Sequence, residues 1–321
     1  MHRRLHLINP LWNAAGGSEW RTLELHALLG EAAEVHLWSS ATPDPRLKTQ
    51  CDIRRIRPAQ GEFPRQGVFV FIGDYRPPRE WIEQAQPRRT ILVYNTHSPR
   101  RLAAAVERLS LSGRRPVEIV YASETLKRLT GLPGEVQPSW IDLRRFSPSP
   151  RAERPFTVGR LSRDVPEKHH PDDPALYRRW LADGMRLRLM GAGCIADALP
   201  NHPGLERVPA GSEAPERFLA SLDCFYYRTA PNWLETWGRV VLEAMACGLP
   251  VVCERRGGYA EAIEHGVDGF VFDDEREAEV LIRRLRDEPA LRQRIGIAAR
   301  AKAESLFCDE ARTRTTAYYL R

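Results

Sequence analysis

The segment from Pro231 to Val252 carries two carboxylates eight positions apart, Glu235 and Glu243, with Thr236, Trp237, Gly238 and Arg239 between them. With Glu235 at a loop end and Glu243 on the helix that follows, they stand about two turns, ~12 Å, apart along the axis. The free N–H groups of the first turn, over Thr236–Arg239, and the positive end of the helix dipole make a seat for an anion. Gly238 lets a ligand come close to the backbone. Glu243 can accept from vicinal hydroxyls such as those of a ribose, charge-assisted contacts worth roughly 1.5–3 kcal/mol. Two glutamates at this spacing are more often a solvated stripe. Leu242, Ala244, Met245 and Ala246 leave little polar surface around Glu243, however, and a carboxylate in such company needs a partner. Lysine occurs only at positions 48, 127, 168 and 302, and nearly all of the positive charge is arginine.

The elements that must position these residues read as alternating strand and helix. In the first half, Arg4–Asn9, Glu34–Trp38, Val68–Ile72, Thr90–Asn95 and Val117–Ala122 are strands, the third a continuous apolar run of the kind buried on both faces. One helix starts near Ser18, read as its N-cap, and another lies between Pro99 and about Leu111. The proline-punctuated stretch 137–155 reads as an interdomain linker. Beyond it, 156–159, 185–191, 205–208, 223–227, 250–253 and 269–272 read as strands. Helices are expected from Ser212 to about Ser221, from Gly238 to Met245 and through 275–306. The adjacent pairs Asp172–Asp173 and Asp273–Asp274 read as surface. The expected fold class is therefore α/β, with two Rossmann-like domains facing across a cleft, since ligands of open parallel sheets bind at the carboxyl ends of the strands. The domains are placed at 1–150 and 151–305, with a C-terminal helix over 306–321 packing back on the first.

Composition narrows the class. The chain has 321 residues, 42% apolar and 28% charged, which excludes a disordered tail or a collagen-like fibre. No run approaches the ~18 apolar residues of a membrane-spanning helix, and the apolar run near the N-terminus breaks too soon for a signal peptide. Six scattered cysteines without a C-x-x-C pair suit neither a disulfide scaffold nor structural zinc. Residues 1–150 hold 22 Lys and Arg against 15 Asp and Glu, and the remainder 26 against 27. The positive excess thus lies in the first half, where it can face an anionic membrane. A cytoplasmic protein, peripheral on the inner face of the membrane, is expected. No G-x-G-x-x-G follows the first strand, which argues against a dinucleotide enzyme. No aromatic and basic residues interleave as a nucleic-acid platform, so nucleic acid is not an expected partner.

The run E-T-W-G-R-V-V-L-E-A-M-A-C-G-L-P-V-V resembles the signature of retaining glycosyltransferases of the GT-B fold, family 4 type (glycosyl transferases group 1). Other segments fall in the family's order: Asn13–Glu19, Tyr94-Asn95-Thr96-His97, Ala122–Lys127, Ile141-Asp142, Val158-Gly159-Arg160-Leu161 with Lys168, Met190–Gly193 and Gly257–Ile263. The resemblance spans about 8–272. It implies a hexosyltransferase that moves a sugar, with retention, from a UDP- or GDP-sugar to a saccharide, lipid-linked or small-molecule acceptor, as in polysaccharide biosynthesis. It implies that Lys168 and Arg160 neutralise the leaving diphosphate, with Arg163 the alternative contact, that Glu235 lies against the transferred sugar and that Glu243 holds the ribose. It further implies that His97 faces the sugar, that Gly16 and Gly17 approach the donor phosphate, and that Gly191, Thr236, Trp237, Gly238 and Arg239 line the nucleotide-sugar site. Two departures stand out: the interval from Arg160 to Lys168 is longer than the common five or six residues, and Trp237 takes the place of a more frequent Phe. No D-x-D occurs, so no metal and no other cofactor is expected. The rivals are a nucleotide-sugar epimerase of the same fold and a catalytically inactive nucleotide-sugar-binding protein.

Overall fold

The computed structural model describes residues 4–73, 79–113, 115–150 and 154–321. The chain divides into two compact units, Met1–Trp140 with Cys308–Arg321, and Ile141–Phe307.

In the first unit the chain runs β1 (Arg4–Asn9), α1 (Gly17–Gly30), β2 (Glu34–Ser39), α2 (Pro45–Lys48), β3 (Ile53–Arg55), β4 (Val68–Ile72), α3 (Arg79–Ala85), β5 (Arg89–Tyr94), α4 (Pro99–Gly113), β6 (Val117–Tyr121), α5 (Glu124–Thr130) and β7 (Glu135–Val136). The seven strands form one sheet in the order β3-β2-β1-β4-β5-β6-β7, every pair parallel. The alternating side chains of the central strands feed two cores. Leu5, Leu7, Val68, Val70 and Ile72 pack with Leu25, Leu28 and Leu29 of α1. Ile8, Phe69 and Phe71 pack with Trp81 of α3 and with Leu102 and Leu109 of α4. A sheet covered on both faces explains why β4 is apolar at every position.

The second unit runs β8 (Thr157–Leu161), α6 (Asp173–Ala182), β9 (Arg186–Met190), β10 (Leu205–Val208), α7 (Pro215–Ala220), β11 (Cys224–Tyr227), α8 (Arg239–Ala246), β12 (Val251–Glu254), β13 (Phe270–Phe272), α9 (Glu275–Asp287) and α10 (Pro289–Leu306). Its six strands are parallel in the order β10-β9-β8-β11-β12-β13. The last helix, α11 (Asp309–Leu320), belongs to the first unit. There Tyr319 enters the α1-side core. Arg89 Nη1 donates to the Tyr318 carbonyl (2.6 Å), and the Tyr318 hydroxyl donates to Glu118 (3.0 Å). Among the described residues, no helix is long and apolar enough to cross a membrane.

Several local expectations are corrected. Helix α1 begins at Gly17, with Gly16 as N-cap and no side-chain cap. Ser18 does not cap it, because its hydroxyl donates to Glu19 (2.7 Å). Buried Asn9 at the end of β1 fixes this entry instead, donating to Ser18 O (3.2 Å) and Thr22 Oγ1 (3.0 Å). Ser212 does not cap α7 either. Its hydroxyl donates to Pro209 O (2.9 Å), and the helix starts at Pro215, whose fixed φ suits the first turn. The stretch 275–306 is two helices broken at Glu288–Pro289. Within the stretch read as linker, Ile141 and Phe146 are buried, and Arg300 of α10 donates to the carbonyl of Phe146 (2.7 Å). Asp173 is fully buried rather than on the surface.

Two histidines are held neutral. Burial, then the neighbouring His36, lowers His6 to about 4, and its Nδ1 accepts from Trp38 Nε1 at 3.0 Å. Burial, then Arg160, lowers His169 to about 4. Both therefore bind a proton more tightly in the unfolded chain, whose histidines titrate near 6.5, so stability falls as pH drops from 6.5 toward 4. At pH 5.5 each should cost on the order of 1 kcal/mol relative to pH 7.5. Urea unfolding at the two pH values should show the loss. His6→Gln should reduce it by roughly 1 kcal/mol; an equal loss in the variant would contradict this.

Candidate active site

Strand order in the second sheet reverses between β8 and β11, the switch point at whose carboxyl edge open α/β sheets bind ligands. Four loops converge there. The turn 166–168 after β8 carries Lys168, whose Nζ pairs with Glu235 on the loop before α8. The Lys168 ammonium also lies 5.5 Å from the centre of the Trp233 ring. Tyr227, the last residue of β11, donates its hydroxyl to the same Glu235 oxygen (3.0 Å).

These partners set the charge of the carboxyl. Burial works to raise its pKa, but Lys168, the Tyr227 hydroxyl and Arg163 outweigh it, so Glu235 lies below its ordinary value. It is a carboxylate at neutral pH, able to accept hydrogen bonds and without a proton to give. Arg163 is exposed on the loop after β8 and adds its charge to this surrounding.

The loops are tied to one another by polar contacts. Ala230 N donates to Glu167 O (3.1 Å), and Gly258 N, on the loop after β12, donates to Glu235 O (2.9 Å). His169 Nε2 donates to Gly191 O (2.8 Å), and Asp164 accepts from Cys194 N (2.7 Å). Arg256 donates to the carbonyls of Thr229, Ala230, Pro231 and Trp233. The segment leading to Glu235 is thus clamped from the loop after β12, by the residue type best suited to a multi-carbonyl fork.

The residues singled out in the sequence take different places. Lys168, Glu235 and, through its charge, Arg163 come together. Arg160 does not face the site, because its side chain is only 1% exposed and lies beneath it. Its guanidinium pairs with Asp173 (3.2 Å) and donates to the carbonyls of Arg228 (3.1 Å) and Lys168. Glu243 is buried on α8, and its partner is Arg239, one turn earlier, whose Nε donates to Oε1 (2.7 Å). Thr236 and Trp237 lie on the loop between, Trp237 buried and Thr236 half-buried. Gly238 precedes α8 with φ of 69°, and a Cβ there would stand 2.8 Å from Tyr259. That close approach is to a tyrosine of the protein itself. Gly191 takes φ of 78°, and the carbonyl of Ser162 occupies the place of its Cβ.

In the first unit, half-buried His97 follows β5, where Asn95 accepts from Arg21 (2.6 Å). A Cβ at Gly16 would overlap the end of the Glu19 side chain, which would have to shift, while Gly17 has open space. Among the described residues, no three His, Cys, Asp or Glu side chains gather as for a metal ion.

Tyr227, Arg228 and Arg256 are not singled out by the sequence, and Asp173 is expected there on the surface. The run Phe225-Tyr226-Tyr227 held a signal, since two tyrosines cannot enter a buried strand without partners for their hydroxyls.

Residues 205–302 match the family model of glycosyl transferases group 1. Related curated proteins point the same way. A D-inositol 3-phosphate glycosyltransferase of Streptomyces griseus is 34% identical over 128 residues, 39% of this chain and 25% of that protein. One of Nocardiopsis dassonvillei is 37% identical over 202 residues, 53% of this chain and 46% of that protein. The chain thus spans between a quarter and a half of these two relatives.

The likeness of fold is wider than the likeness of sequence. HepE of Anabaena, solved in complex with UDP and glucose, superposes with a TM-score of 0.74 at 18% identity, over 100% of this chain and 99% of that one. AviGT4, a glycosyltransferase involved in avilamycin A biosynthesis, gives 0.67 at 19%, over 99% and 97%. The fold is that of the GT-B glycosyltransferases. The stretch that matches the group 1 model begins at β10 and contains Glu235, α8 and Glu243, whereas Lys168 precedes it.

The glycines of the two units should separate by experiment. Gly238→Ala places a Cβ against Tyr259 at positive φ and should cost about 1–3 kcal/mol. Gly17→Ala, at the start of a helix with open space, should leave stability within about 1 kcal/mol of the parent, on the stabilising side. Thermal unfolding of the two variants checks this, and equal shifts would contradict it.

Proposed function

We propose that the protein is a retaining glycosyltransferase, family 4 type, which transfers a hexose from a UDP- or GDP-sugar to a saccharide, lipid-linked or small-molecule acceptor without a metal ion. The observation that carries the reading is the Lys168–Glu235 pair at the switch point of the second sheet, beside exposed Arg163. A lysine ammonium has three donors. One can remain on Glu235 while the others meet the oxygens of a diphosphate. As the bond between the anomeric carbon and the phosphate oxygen breaks, charge builds on the leaving diphosphate. Lys168 and Arg163 neutralise it there, which is electrostatic stabilisation of the transition state. The acceptor oxygen attacks from the face that the diphosphate leaves, and its proton passes to the departing phosphate oxygen.

Glu235, held as a carboxylate, accepts from hydroxyls of the transferred sugar. Glu243, with one oxygen held by Arg239, takes the ribose hydroxyls, and the start of α8 over Thr236–Arg239 adds its dipole. Gly191 keeps the loop after β9 close to the turn that bears Lys168. On the first unit, His97 is assigned to the sugar and Gly16–Gly17 to the donor phosphate. Arg160 is assigned a place beneath the site rather than on the diphosphate. Cytoplasmic location, attachment of the basic first half to an anionic membrane and a part in polysaccharide synthesis belong to the same proposal.

A thermal-shift panel of UDP, GDP, ADP, CMP and NAD in chelator tests it. A diphosphate at 100 times its Kd should stabilise by about 2.7 kcal/mol, and Lys168→Ala should abolish that shift. Glu235→Gln should lower transfer at least 100-fold, since it removes a charge that meets the reacting sugar. No shift with any nucleoside diphosphate, or transfer lost to chelator and restored by magnesium, would contradict the proposal.

A further inference from the structure

Asp173 is the first residue of α6, and nothing in the proposed chemistry uses it. It is wholly buried and accepts hydrogen bonds from Arg160 Nη1 (3.2 Å), Arg228 Nε (2.5 Å), and the hydroxyls of Tyr226 (2.9 Å) and Tyr177 (3.3 Å). Arg160 lies on β8 and Arg228 directly follows β11, so this carboxylate joins the carboxyl ends of the two strands between which the order of the sheet reverses.

From Arg160 two paths lead to the site. Its Nη2 donates to the carbonyl of Lys168, and its guanidinium carbon lies 5.2 Å from the centre of the Tyr227 ring, whose hydroxyl is on Glu235. A third contact, Nη1 to Arg228 O (3.1 Å), fixes the start of the loop that leads to Glu235. A guanidinium whose two terminal nitrogens hold three acceptors is fixed in orientation, and Asp173 is the acceptor that carries charge.

We propose that Asp173 is a positioning residue that sets the Lys168–Glu235 pair for its ligand by fixing Arg160. It touches no substrate. The inference rests on the nucleotide-sugar reading for what the pair acts on, but its first readout needs no nucleotide. With only four lysines in the chain, protein labelled with 13C at the lysine ε-carbon gives four signals, and Lys168→Arg assigns the one that matters.

In Asp173→Asn the Lys168 signal should move while those of Lys48, Lys127 and Lys302 stay in place. Affinity for UDP or GDP, whichever the parent binds, should fall about tenfold or more. Tyr177→Phe removes the longest bond to the same carboxylate and should leave both the signal and the affinity unchanged. Should Asp173→Asn fail to fold, Arg160→Lys carries the same test, its added lysine appearing as a fifth signal.

A Lys168 signal that stays in place in the folded variant overturns the proposal. So does a displaced signal with the parent's nucleotide affinity. Should the parent bind no nucleoside diphosphate, the nucleotide-sugar reading fails, and the lysine signal alone decides whether Asp173 positions the pair.

Discussion

A single buried carboxylate, Asp173, holds two guanidiniums at the point where the strand order of the second sheet reverses. Two arginines cannot be buried side by side without an anion between them, because each loses its hydration and repels the other. Asp173 meets that requirement. The loops after β8 and β11 thereby gain fixed starting points, and Lys168 and Glu235 stand on those loops. The aromatic side chains Tyr177 and Tyr226 close the cluster from the core side.

Above this cluster the site is held by backbone. The segment that leads to Glu235 is neither helix nor strand, yet four of its carbonyls are taken by Arg256 and the Glu235 carbonyl by Gly258 N. Glycine appears where another strand of backbone or a ring presses in, as at Gly191 against Ser162 and at Gly238 against Tyr259. A loop built in this way can present a charged pair in a fixed geometry before any ligand arrives, which is the condition for preorganised electrostatic stabilisation.

Much of the fold was legible because parallel strands buried on both faces are continuous apolar runs. Val68–Ile72 and Pro250–Cys253 announced themselves in this way. The short edge strands β3 and β7 were not legible, since three and two residues carry no usable pattern. Helix starts were misread at Ser18 and Ser212, because a serine hydroxyl can serve any nearby acceptor and tertiary contacts chose others. At the site, the family resemblance points to Lys168, one of only four lysines, and apolar neighbours mark Glu243 as a carboxylate in need of a partner. That partner, Arg239, lay four residues away in plain sight. Asp173 stayed hidden because an Asp-Asp-Pro run looks like a helix start at the surface, and only the fold brings Arg160 and Arg228 to it. Arg160 was misplaced for the matching reason. The family resemblance and a preceding glycine suggest a cleft residue, but neither says which way the arginine points.

The central claim is that the Lys168–Glu235 pair receives the diphosphate of a nucleotide sugar. A crystal structure of the protein soaked with UDP and, separately, with GDP tests it most directly. The account predicts diphosphate oxygens within hydrogen-bonding distance of Lys168 Nζ and Arg163, with Arg160 still buried on Asp173. A nucleotide bound elsewhere on the second unit, with Lys168 and Glu235 paired and untouched, would contradict it.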